Sequence, residues 1–374
     1  MPNYRQLGRA IGHSLRHRAA LVTGRSNGQR SDFTADMTRL HEPRPTSAFT
    51  KIDFDRPGKQ MGHVMFPHSP NDDAWGVTRL PIAMISHGSG PTVIMEGGNH
   101  GDEYEGPIVI GELARELDPA EVQGRLILMP SNNVHAVAAS QRISPVDGLN
   151  FNRTFPGDPY GSITQQIAAY VTDHIFPMGD AFLDLHSGGS SLECLPSAII
   201  EPTNDQRLAE RNAAAARAFG APNIVVIANL GDPRTATATA CRAGLVTVGT
   251  ELGGGGRVSI DALAICRRGV RNVLGHFGVI DPKHLSIEHP DQPMLELKGT
   301  SAYVYAACEG IFEPFHSLGS TVSAGDPAGQ IHTVWEPAEP PKLVHYECDG
   351  IVFARRQPGR VKPGTCCMVV AAPV

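Results

Sequence analysis

Residues 92–117 read TVIMEGGNHGDEYEGPIVIGELAREL, and this stretch decides the fold. Its first four residues form an apolar run that is too short for a helix and rich in β-branched side chains, which predicts a buried strand. A glycine-rich turn follows, and from about residue 106 to residue 117 the apolar residues have helical spacing. A buried strand, a turn and a helix in this order are the repeating unit of an α/β sheet.

The same unit recurs along the chain. Short apolar runs alternate with helical stretches, and Gly or Pro lies near the helix ends. Continuous apolar strands separated by helices predict an α/β fold with a largely parallel sheet that helices cover on both faces. The predicted strands are Thr92–Met95, Arg125–Met129, Ala181–Leu185, Ile224–Ala228 and Leu245–Val248, and the predicted helices span residues 106–117, 163–176, 205–219 and 259–277.

Two other regions flank this α/β core. From residue 54 to residue 90, alternating runs separated by Pro, Asn and Gly predict antiparallel strands at one edge of the sheet. After Pro293 the helical period disappears, and short strands punctuated by glycine predict a small all-β domain. We therefore expect a main domain over residues 48–296 and a C-terminal β domain over residues 297–374.

The composition excludes several classes of protein. The chain has 374 residues, of which 41% are hydrophobic and 19% charged, and its net charge is −6. These values exclude a disordered or fibrous protein and give no reason to expect a nucleic acid as partner. No window approaches the roughly 18 apolar residues that span a bilayer, and no secretory signal is visible. Seven cysteines form no CxxC pair, which favours reduced thiols in a cytoplasmic protein.

Residues 1–50 have a different charge balance, with eight Arg, no Lys and three acidic residues. The alternatives for this basic arm are an RNA or membrane contact, an Arg-rich transit peptide and an extension from an upstream start codon. The segment lacks the hydrophobic run and the interleaved aromatic residues that would support a binding surface. We therefore expect residues 1–47 to form a poorly ordered extension.

Side chains that bind metals or move protons follow three of the predicted strands. His100 and Glu103 lie three residues apart in the turn after the first strand. His186 follows the third strand and Glu251 follows the fifth. Ligands gather at the carboxyl ends of strands in α/β proteins, and two histidines with one carboxylate are a typical catalytic zinc set, beside which a further glutamate can act as general base. Asp184, two residues before His186, faces the same side of its strand and can orient an imidazole.

Several motifs together resemble a known family. They are GNHGDE at residues 98–103, NR at 152–153, DLHSG at 184–188 and Glu251, with Asn133, Arg142 and Asp147 between them. In order and spacing they resemble, from about residue 92 to residue 252, the succinylglutamate desuccinylase/aspartoacylase family of zinc carboxypeptidase-like proteins. Within that family, the most similar branch is the Nα-acetyl-L-2,4-diaminobutyrate deacetylases of ectoine breakdown, through DAWG at 73–76, NRTFPG at 152–157 and TELGGGG at 250–256.

The resemblance implies a zinc carboxypeptidase-like mixed, largely parallel sheet and one zinc ion per subunit, bound by His100, Glu103 and His186. It implies that Glu251 acts as general base toward a zinc-bound water and then protonates the leaving amine. Arg142 would polarise the scissile carbonyl and stabilise the oxyanion. The main domain would then be catalytic, and the C-terminal β domain would cap its cleft and exclude polypeptides.

The same resemblance assigns Asn152 and Arg153 to the α-carboxylate of the substrate, a task that suits the bidentate geometry of guanidinium. A second amino group on the substrate would need an acid, because a buried ammonium requires a partner. Glu193 is our candidate for this acid, with Glu105 and Asp232 as alternatives. A substrate with an extra carboxylate would need a cation instead, for which two residues are available: Arg234 and Arg257.

We therefore expect a zinc-dependent amidohydrolase that deacetylates Nα-acetyl-L-2,4-diaminobutyrate. Two alternatives stay open: a deacylase for another N-acyl amino acid, such as acetylaspartate or succinylglutamate, and a noncatalytic binding protein on the same scaffold. The expected partner is a small molecule, with neither nucleic acid nor membrane. We also expect a homodimer, because two-fold dimers are the commonest oligomers among soluble proteins.

Overall fold

A computed structural model describes residues 43–286, 288 and 291–374. Most of the predicted extension over residues 1–47 lies outside the described residues. Arg44 falls within them, and its guanidinium donates to the Asp173 carboxylate at 2.7 Å and to the backbone oxygens of Pro156 and Gly157. The described chain is therefore anchored close to its start.

The described residues form eighteen strands and six α-helices. The strands are β1 (Phe49–Thr50), β2 (Gly58–Pro67), β3 (Val77–His87), β4 (Thr92–Gly97), β5 (Gly124–Met129), β6 (Ala181–Leu185), β7 (Leu192–Ile200), β8 (Asn223–Val226), β9 (Val246–Gly254), β10 (Met294–Glu296), β11 (Tyr303–Tyr305), β12 (Gly310–Pro314), β13 (Thr321–Val322), β14 (Pro327–His332), β15 (Lys342–His345), β16 (Gly350–Arg356), β17 (Arg360–Val361) and β18 (Cys366–Pro373). The helices are α1 (Glu105–Glu116), α2 (Val134–Ala139), α3 (Ile163–Tyr170), α4 (Gln206–Phe219), α5 (Ala236–Arg242) and α6 (Ile260–His276).

Fourteen of these strands form one mixed sheet. Their order is β1-β2-β3-β5-β4-β6-β9-β7-β8-β10-β18-β16-β13, with β11 paired to β18. The five strands predicted from the apolar runs are all present, as β4, β5, β6, β8 and β9. The pair β2–β3 is antiparallel and lies toward one edge of the sheet, as predicted.

The sheet is less parallel than the sequence predicts. Parallel pairing is confined to β5-β4-β6-β9 and to β7-β8-β10. The apolar runs do not predict β7, which contains Pro196 and several half-buried residues and runs antiparallel to β9. The C-terminal strands extend the sheet with further antiparallel pairs. The mixed α/β class is confirmed, whereas a largely parallel sheet is wrong for the sheet as a whole.

Helices cover both faces of the central strands, as predicted. On one face α1, α4 and α6 contribute residues such as Val109, Phe219 and Val273 to one apolar core. On the other face α3 and α5 contribute Ile167 and Ala240 to a second core. No helix in the described ranges is both long enough and apolar enough to cross a membrane.

Local capping sets the ends of the helices. α4 begins after Asp205, whose carboxylate accepts two backbone N–H groups of the first turn, and it ends at Gly220, whose φ of 75° breaks the helical hydrogen bonding. The predicted helix over residues 163–176 is shorter, because α3 ends at Tyr170 and continues as a π-helical turn over Val171–Ile175. The sequence pattern does not predict α2 and α5, because six and seven residues are too few to show a helical period.

The C-terminal region consists mainly of strands. β11, β13, β16 and β18 join the large sheet, and β15-β14-β12-β17 form a second sheet. Phe312, Ile331 and Met368 belong to one apolar core that both sheets share. The large sheet crosses the predicted domain boundary, since β10 pairs with β18 through Leu295 and Pro373. The division of the chain after residue 296 stays a prediction.

Candidate metal centre and substrate cavity

Three neighbouring parallel strands bring the predicted side chains together. β4, β6 and β9 lie side by side, so their carboxyl ends meet at one edge of the sheet. His100 and Glu103 lie in the loop after β4. His186 directly follows β6, and Glu251 lies near the end of β9. The order of the strands explains why residues so distant in sequence meet at one place.

The loop after β4 needs glycine at its closest approach to the neighbouring chain. The N–H of Gly101 donates to the Gln141 oxygen at 2.9 Å. A Cβ on Gly101 would clash with the carbonyl of Ala136 in α2. This contact fixes the loop between His100 and Glu103.

His100, Glu103 and His186 form the candidate metal centre. One possible ligand atom from each lies within 4.8 Å of the others. His100 and Glu103 are only 2% and 3% exposed, and His186 Nδ1 lies 2.8 Å from Glu103 Oε2. Two imidazoles and a carboxylate this close together fit a catalytic zinc ion, which takes three protein ligands and leaves one position open.

Both imidazoles are oriented by partners outside the centre. The Nδ1–H of His100 donates to the Arg142 carbonyl at 2.9 Å, which leaves Nε2 for a ligand. His186 Nε2 lies 2.9 Å from Asp184 Oδ1, so the carboxylate that is predicted to orient an imidazole lies beside this ring. The other oxygen of Asp184 accepts a hydrogen bond from the Thr237 hydroxyl at 2.7 Å. Partners of this kind hold metal-binding histidines in orientation and tautomer.

The surroundings shift the pKa values of the two histidines in opposite directions. Burial, and next the Arg142 guanidinium, lower the pKa of His100 well below its ordinary value. Burial opposes protonation of His186, but the Asp184 and Glu103 carboxylates raise its pKa well above the ordinary value. The surroundings therefore favour the neutral form of His100, which is the form that binds a metal, and favour the protonated form of His186.

Glu251 is an acid beside the centre with one carboxyl oxygen left unpaired among the described residues. Its Oε2 is buried and has no hydrogen-bond partner among the described residues. Burial, and next the Glu103 carboxylate, raise the pKa of Glu251 to about 8. A carboxyl group with this pKa can both accept and return a proton near neutral pH.

A cavity of about 90 Å³ opens beside these side chains. The predicted residues that line it are His100, Glu103, Arg142, Asn152, Arg153, His186 and Glu251. The other lining residues are Ile199, Glu201, Ile227, Asn229, Thr235, Thr237, Gly249 and Thr250. The structure thus brings together all but one of the predicted site residues.

Arg142 contacts the centre through both its backbone and its side chain. Its carbonyl holds His100, and its Nη1 lies 3.5 Å from Glu103 Oε1. The side chain is 42% exposed, so the guanidinium keeps donors available to a ligand in the cavity.

Asn152 and Arg153 present adjacent donors to the cavity. Asn152 Oδ1 accepts the N–H of Ala236 at 2.8 Å, which fixes the amide and turns its Nδ2 toward His186. Arg153 Nε lies 3.3 Å from the Asp232 carboxylate. A guanidinium beside an amide suits the binding of a substrate carboxylate.

The structure does not bring Glu193 to the cavity. Its carboxylate is bound by Arg257 at 2.9 Å, by Gln357 at 3.0 Å and by Arg355 at 3.3 Å. The prediction places Glu193 in a connection after His186, whereas the chain forms the strand β7 there and pairs Glu193 with Arg355 of β16. Glu193 therefore does not line the cavity beside the candidate centre, and its role in substrate binding stays a prediction.

The other charged candidates are also engaged elsewhere. Glu105 accepts the N–H of the residue that caps α6. Asp232 pairs with two arginines, one of which is Arg234, and Arg257 pairs with Glu193. These four candidates do not line the cavity of about 90 Å³.

Sequence reasoning missed Glu201, which directly follows β7 and lines the cavity. The signal for Glu201 is the one that found His186 and Glu251, an ionisable residue at the end of an apolar run. Here the run is the short stretch Ser197–Ile200. It is visible only once β7 is recognised as a strand.

Comparison with known proteins finds relatives over most of the chain. Residues 89–277, which include every residue of the candidate centre, match the succinylglutamate desuccinylase/aspartoacylase catalytic domain. The N-alpha-acetyl-L-2,4-diaminobutyric acid deacetylase of Halomonas elongata is 37% identical over 332 residues, which cover 88% of this chain and 96% of that protein.

Two solved structures have the same fold. The crystal structure of a succinylglutamate desuccinylase/aspartoacylase from Rhodobacter sphaeroides has a TM-score of 0.83 and 42% identity, covering 88% of this chain and 99% of the other. The product-bound ectoine utilization protein EutE (DoeB) from Ruegeria pomeroyi has a TM-score of 0.84 and 36% identity, covering 88% of this chain and 100% of the other. The likeness therefore extends well beyond the residues of the candidate centre.

Proposed function

Because this chain belongs to the succinylglutamate desuccinylase/aspartoacylase family, we propose that it is a zinc-dependent amidohydrolase that deacetylates Nα-acetyl-L-2,4-diaminobutyrate. The products are acetate and L-2,4-diaminobutyrate. The observation that carries the proposal is the meeting of His100, Glu103, His186 and Glu251 at one cavity. The identity to the Halomonas elongata deacetylase over nearly its whole length supports the choice of substrate.

His100, Glu103 and His186 would hold one zinc ion per chain. When bound, zinc lowers the pKa of a coordinated water from about 15.7 toward 7 and polarises the acyl carbonyl. The donor set fits this ion because it supplies three ligands of the right chemistry and leaves one position open. The Arg142 carbonyl and Asp184 keep the two imidazoles in place before the ion arrives.

Glu251 moves protons in the proposed reaction. Its carboxylate takes a proton from the attacking water and gives it to the amide nitrogen, so that the nitrogen leaves as a neutral amine. Because Oε2 has no hydrogen-bond partner among the described residues, it is free to bind the water or the nitrogen. The raised pKa makes both transfers feasible near neutral pH.

Three further side chains bind and orient the substrate. Arg142 stabilises the negative charge that develops on the carbonyl oxygen. Arg153 and Asn152 bind the α-carboxylate, which directs the scissile amide toward Glu251. The bond between Asn152 Oδ1 and the backbone of Ala236 keeps the donor side of the amide facing the cavity.

The ion pairs argue against the alternative functions. Acetylaspartate and succinylglutamate would need an additional cation, but Arg234 pairs with Asp232 and Arg257 pairs with Glu193. Neither arginine lines the described cavity. A noncatalytic binding protein would not need three metal ligands and a general base. In this chain all four of these residues are present at one cavity.

We extend the proposal to the surroundings of the site. Residues 297–374 cap the cavity, the enzyme is a homodimer, and it acts in the cytoplasm. The pairing of β16 with β7 supports the first statement, because it joins the C-terminal region to a strand that leads into the cavity. The cavity of about 90 Å³ suits a small acyl amino acid rather than a polypeptide.

The test is a comparison of three substrates with zinc-loaded protein: Nα-acetyl-L-2,4-diaminobutyrate, acetylaspartate and succinylglutamate. We expect the highest kcat/KM on the first, by roughly tenfold or more, because the other two leave a carboxylate without a partner. Faster turnover of either dicarboxylic substrate would contradict the substrate assignment. Hydrolysis of none of the three would contradict the proposed activity.

A further inference from the structure

Glu201 lies where two cavities meet. It lines both the cavity of the candidate centre, about 90 Å³, and a neighbouring cavity of about 340 Å³. Ile199 and Ile227 lie beside it in the first cavity, and Arg242 lines the second. Glu201 is therefore an acid at the far end of a partly apolar pocket that begins at the metal centre.

The carboxylate of Glu201 lacks a partner in the part of the chain that the structure describes. Among the described residues no hydrogen bond and no ion pair within 4.0 Å involves it. The two nearby cations are engaged elsewhere: Arg242 donates to the Pro233 oxygen at 2.8 Å, and Arg153 pairs with Asp232 at 3.3 Å. An acid in a cavity with unused hydrogen-bonding capacity is stabilised when a ligand brings it a cation.

The register of the strands sets the distance between Glu201 and Glu251. Glu251 pairs with Ser197 of β7, and Ile199 pairs with Gly249. Glu201 lies four residues beyond Ser197, which places the two glutamate backbones ~13 Å apart at ~3.3 Å per residue. Both residues line the same cavity. This backbone separation leaves room between the two glutamates for a short side chain that ends in a cation.

We propose that Glu201 binds the side-chain ammonium of the acyl diamino acid and thereby selects substrates that have a second amino group. The inference rests on the proposed function, because it requires an acyl amino acid in the cavity. An acid at this point attracts an ammonium and repels the extra carboxylate of acetylaspartate or succinylglutamate. Arg153 and Asn152 at the other end would fix the α-carboxylate, so that the substrate is held at both charged ends.

The ionisation of Glu201 gives the selection a pH dependence. Burial raises the pKa of Glu201 to about 8, although Arg242 and Arg153 oppose the shift. A substrate ammonium keeps its proton to about pH 10, so the two opposite charges coexist above about pH 8. Nine charged or titratable residues line the two cavities together with Glu201: His100, Glu103, Arg142, Arg153, His186, Asp232, Cys241, Arg242 and Glu251.

The test uses two substrates that differ only in the side-chain amine: Nα-acetyl-L-2,4-diaminobutyrate and Nα-acetyl-L-2-aminobutyrate. With zinc-loaded Glu201→Gln we expect kcat/KM on the first to fall roughly 10- to 150-fold, mainly through KM, as for loss of a hydrogen bond to a charged group. We expect kcat/KM on the second substrate to stay within about threefold of wild type. Glu201→Asp should restore part of the preference for the amine.

The pH profile supplies a second readout. The ratio of the two kcat/KM values should rise between pH 7 and pH 9 in the wild type, because Glu201 ionises near pH 8. The ratio should stay flat in Glu201→Gln. Ionisation of Glu251 changes turnover of both substrates alike and cancels in the ratio.

A matched control separates this role from a general effect of removing an acid. Glu112 lies on the outer surface of α1, where it binds Arg267, and Glu112→Gln should leave both substrates unaffected. Equal losses on the two substrates in Glu201→Gln would overturn the assignment and make Glu201 a structural residue. Failure of the wild type to hydrolyse either substrate would instead overturn the proposed function, so the two failures are distinguishable.

Discussion

Two half-buried acids in one cavity, Glu251 and Glu201, have different neighbours, and we therefore assign them different roles. Burial raises the pKa of each to about 8. The next influence on Glu251 is the Glu103 carboxylate, which adds to the shift, whereas the next influence on Glu201 is Arg242, which opposes it. Glu251 is therefore suited to exchanging protons beside the metal centre, and Glu201 to attracting a cation.

Replacement of Glu251 by Gln tests whether this side chain transfers the proton from water to the amide nitrogen. The amide keeps the shape of the side chain but cannot accept the proton, so kcat should fall by about 10²- to 10⁴-fold. KM and the zinc content should change little, because Glu251 is not one of the predicted ligands. Steady-state kinetics with elemental analysis of the same sample checks this. Undiminished turnover with full zinc occupancy would show that another group is the base.

At the residue scale the sequence predicts what lies in short motifs and misses what depends on strand pairing. His100 and Glu103 share one tight turn, so their spacing alone indicates a shared ligand. Glu193 lies in β7 and Glu201 directly follows it, and the sequence does not reveal which of them lines the cavity. An extra residue in β7 between Cys194 and Ser197 reverses the alternation of side chains, which separates these two acids.

At the scale of elements, Asp102 joins the loops that carry the candidate ligands. Its Oδ2 accepts both the N–H and the hydroxyl of Ser190, each at 2.7 Å. Gly189 packs against the same carboxylate with a φ of 56°, in a conformation that other residues rarely adopt. The loop with His100 and the loop with His186 are thereby fixed to each other.

Asp102→Ala tests this link between the loops. Loss of the two hydrogen bonds should lower zinc affinity roughly 10- to 100-fold, as for other groups that position metal ligands. The kcat of the zinc-saturated variant should change less than the affinity. Competition with a chelator of known affinity measures the first quantity.

Asp118→Ala is the matched control for Asp102→Ala. Asp118 also accepts backbone N–H groups, but it caps the surface turn Pro119–Glu121, away from the centre. Its loss should leave zinc affinity unchanged. The same zinc affinity for Asp102→Ala and wild type would contradict the role of Asp102.

The elements themselves are predictable where a local pattern exists. Buried strands such as β4 and β6 read as continuous apolar runs because both of their faces are covered. β7 does not form such a run, because half-buried residues interrupt its buried ones and it includes Pro196. The helices α2 and α5 are not predicted because they are too short to show the helical spacing of apolar residues.

At the scale of the whole molecule, buried acids should make the metal-free protein less stable as the pH rises. The pKa of Glu201 is 4.5 ordinarily and about 8 in the fold, so the folded state keeps a proton that the unfolded chain releases. The stabilising contribution of this proton is therefore fully present below pH 4.5 and is lost as the pH rises to about 8. Glu96 and Glu251, whose pKa values burial also raises to about 8, act in the same direction.

Comparing the free energies of unfolding of wild type and Glu201→Gln isolates the contribution of Glu201 to this pH dependence. The free energy of unfolding of the wild type should fall relative to that of Glu201→Gln between pH 4.5 and pH 8, because Gln has no proton to lose. Urea denaturation of the metal-free proteins at several pH values in this window measures the difference. Parallel stability curves would mean that Glu201 is ionised throughout.

The extent of the large sheet could not be predicted from the sequence. Its class follows from alternating strands and helices, but β10, β16 and β18 join it through pairings between distant parts of the chain. The spacing of apolar residues within one strand does not show which distant strand will pair with it. Each of these pairings depends on the path of the chain between the two strands. The sequence therefore predicts the catalytic edge of the sheet better than its C-terminal half.

The central claim is that His100, Glu103 and His186 hold a zinc ion that the hydrolysis requires. Bound zinc and acetate release from Nα-acetyl-L-2,4-diaminobutyrate should be measured on the same samples while zinc is removed by a chelator and then restored. We predict that activity disappears with the metal and returns in proportion to added zinc, reaching its maximum near one ion per chain. Full turnover by protein that holds no zinc, or activity indifferent to the chelator, would contradict the claim.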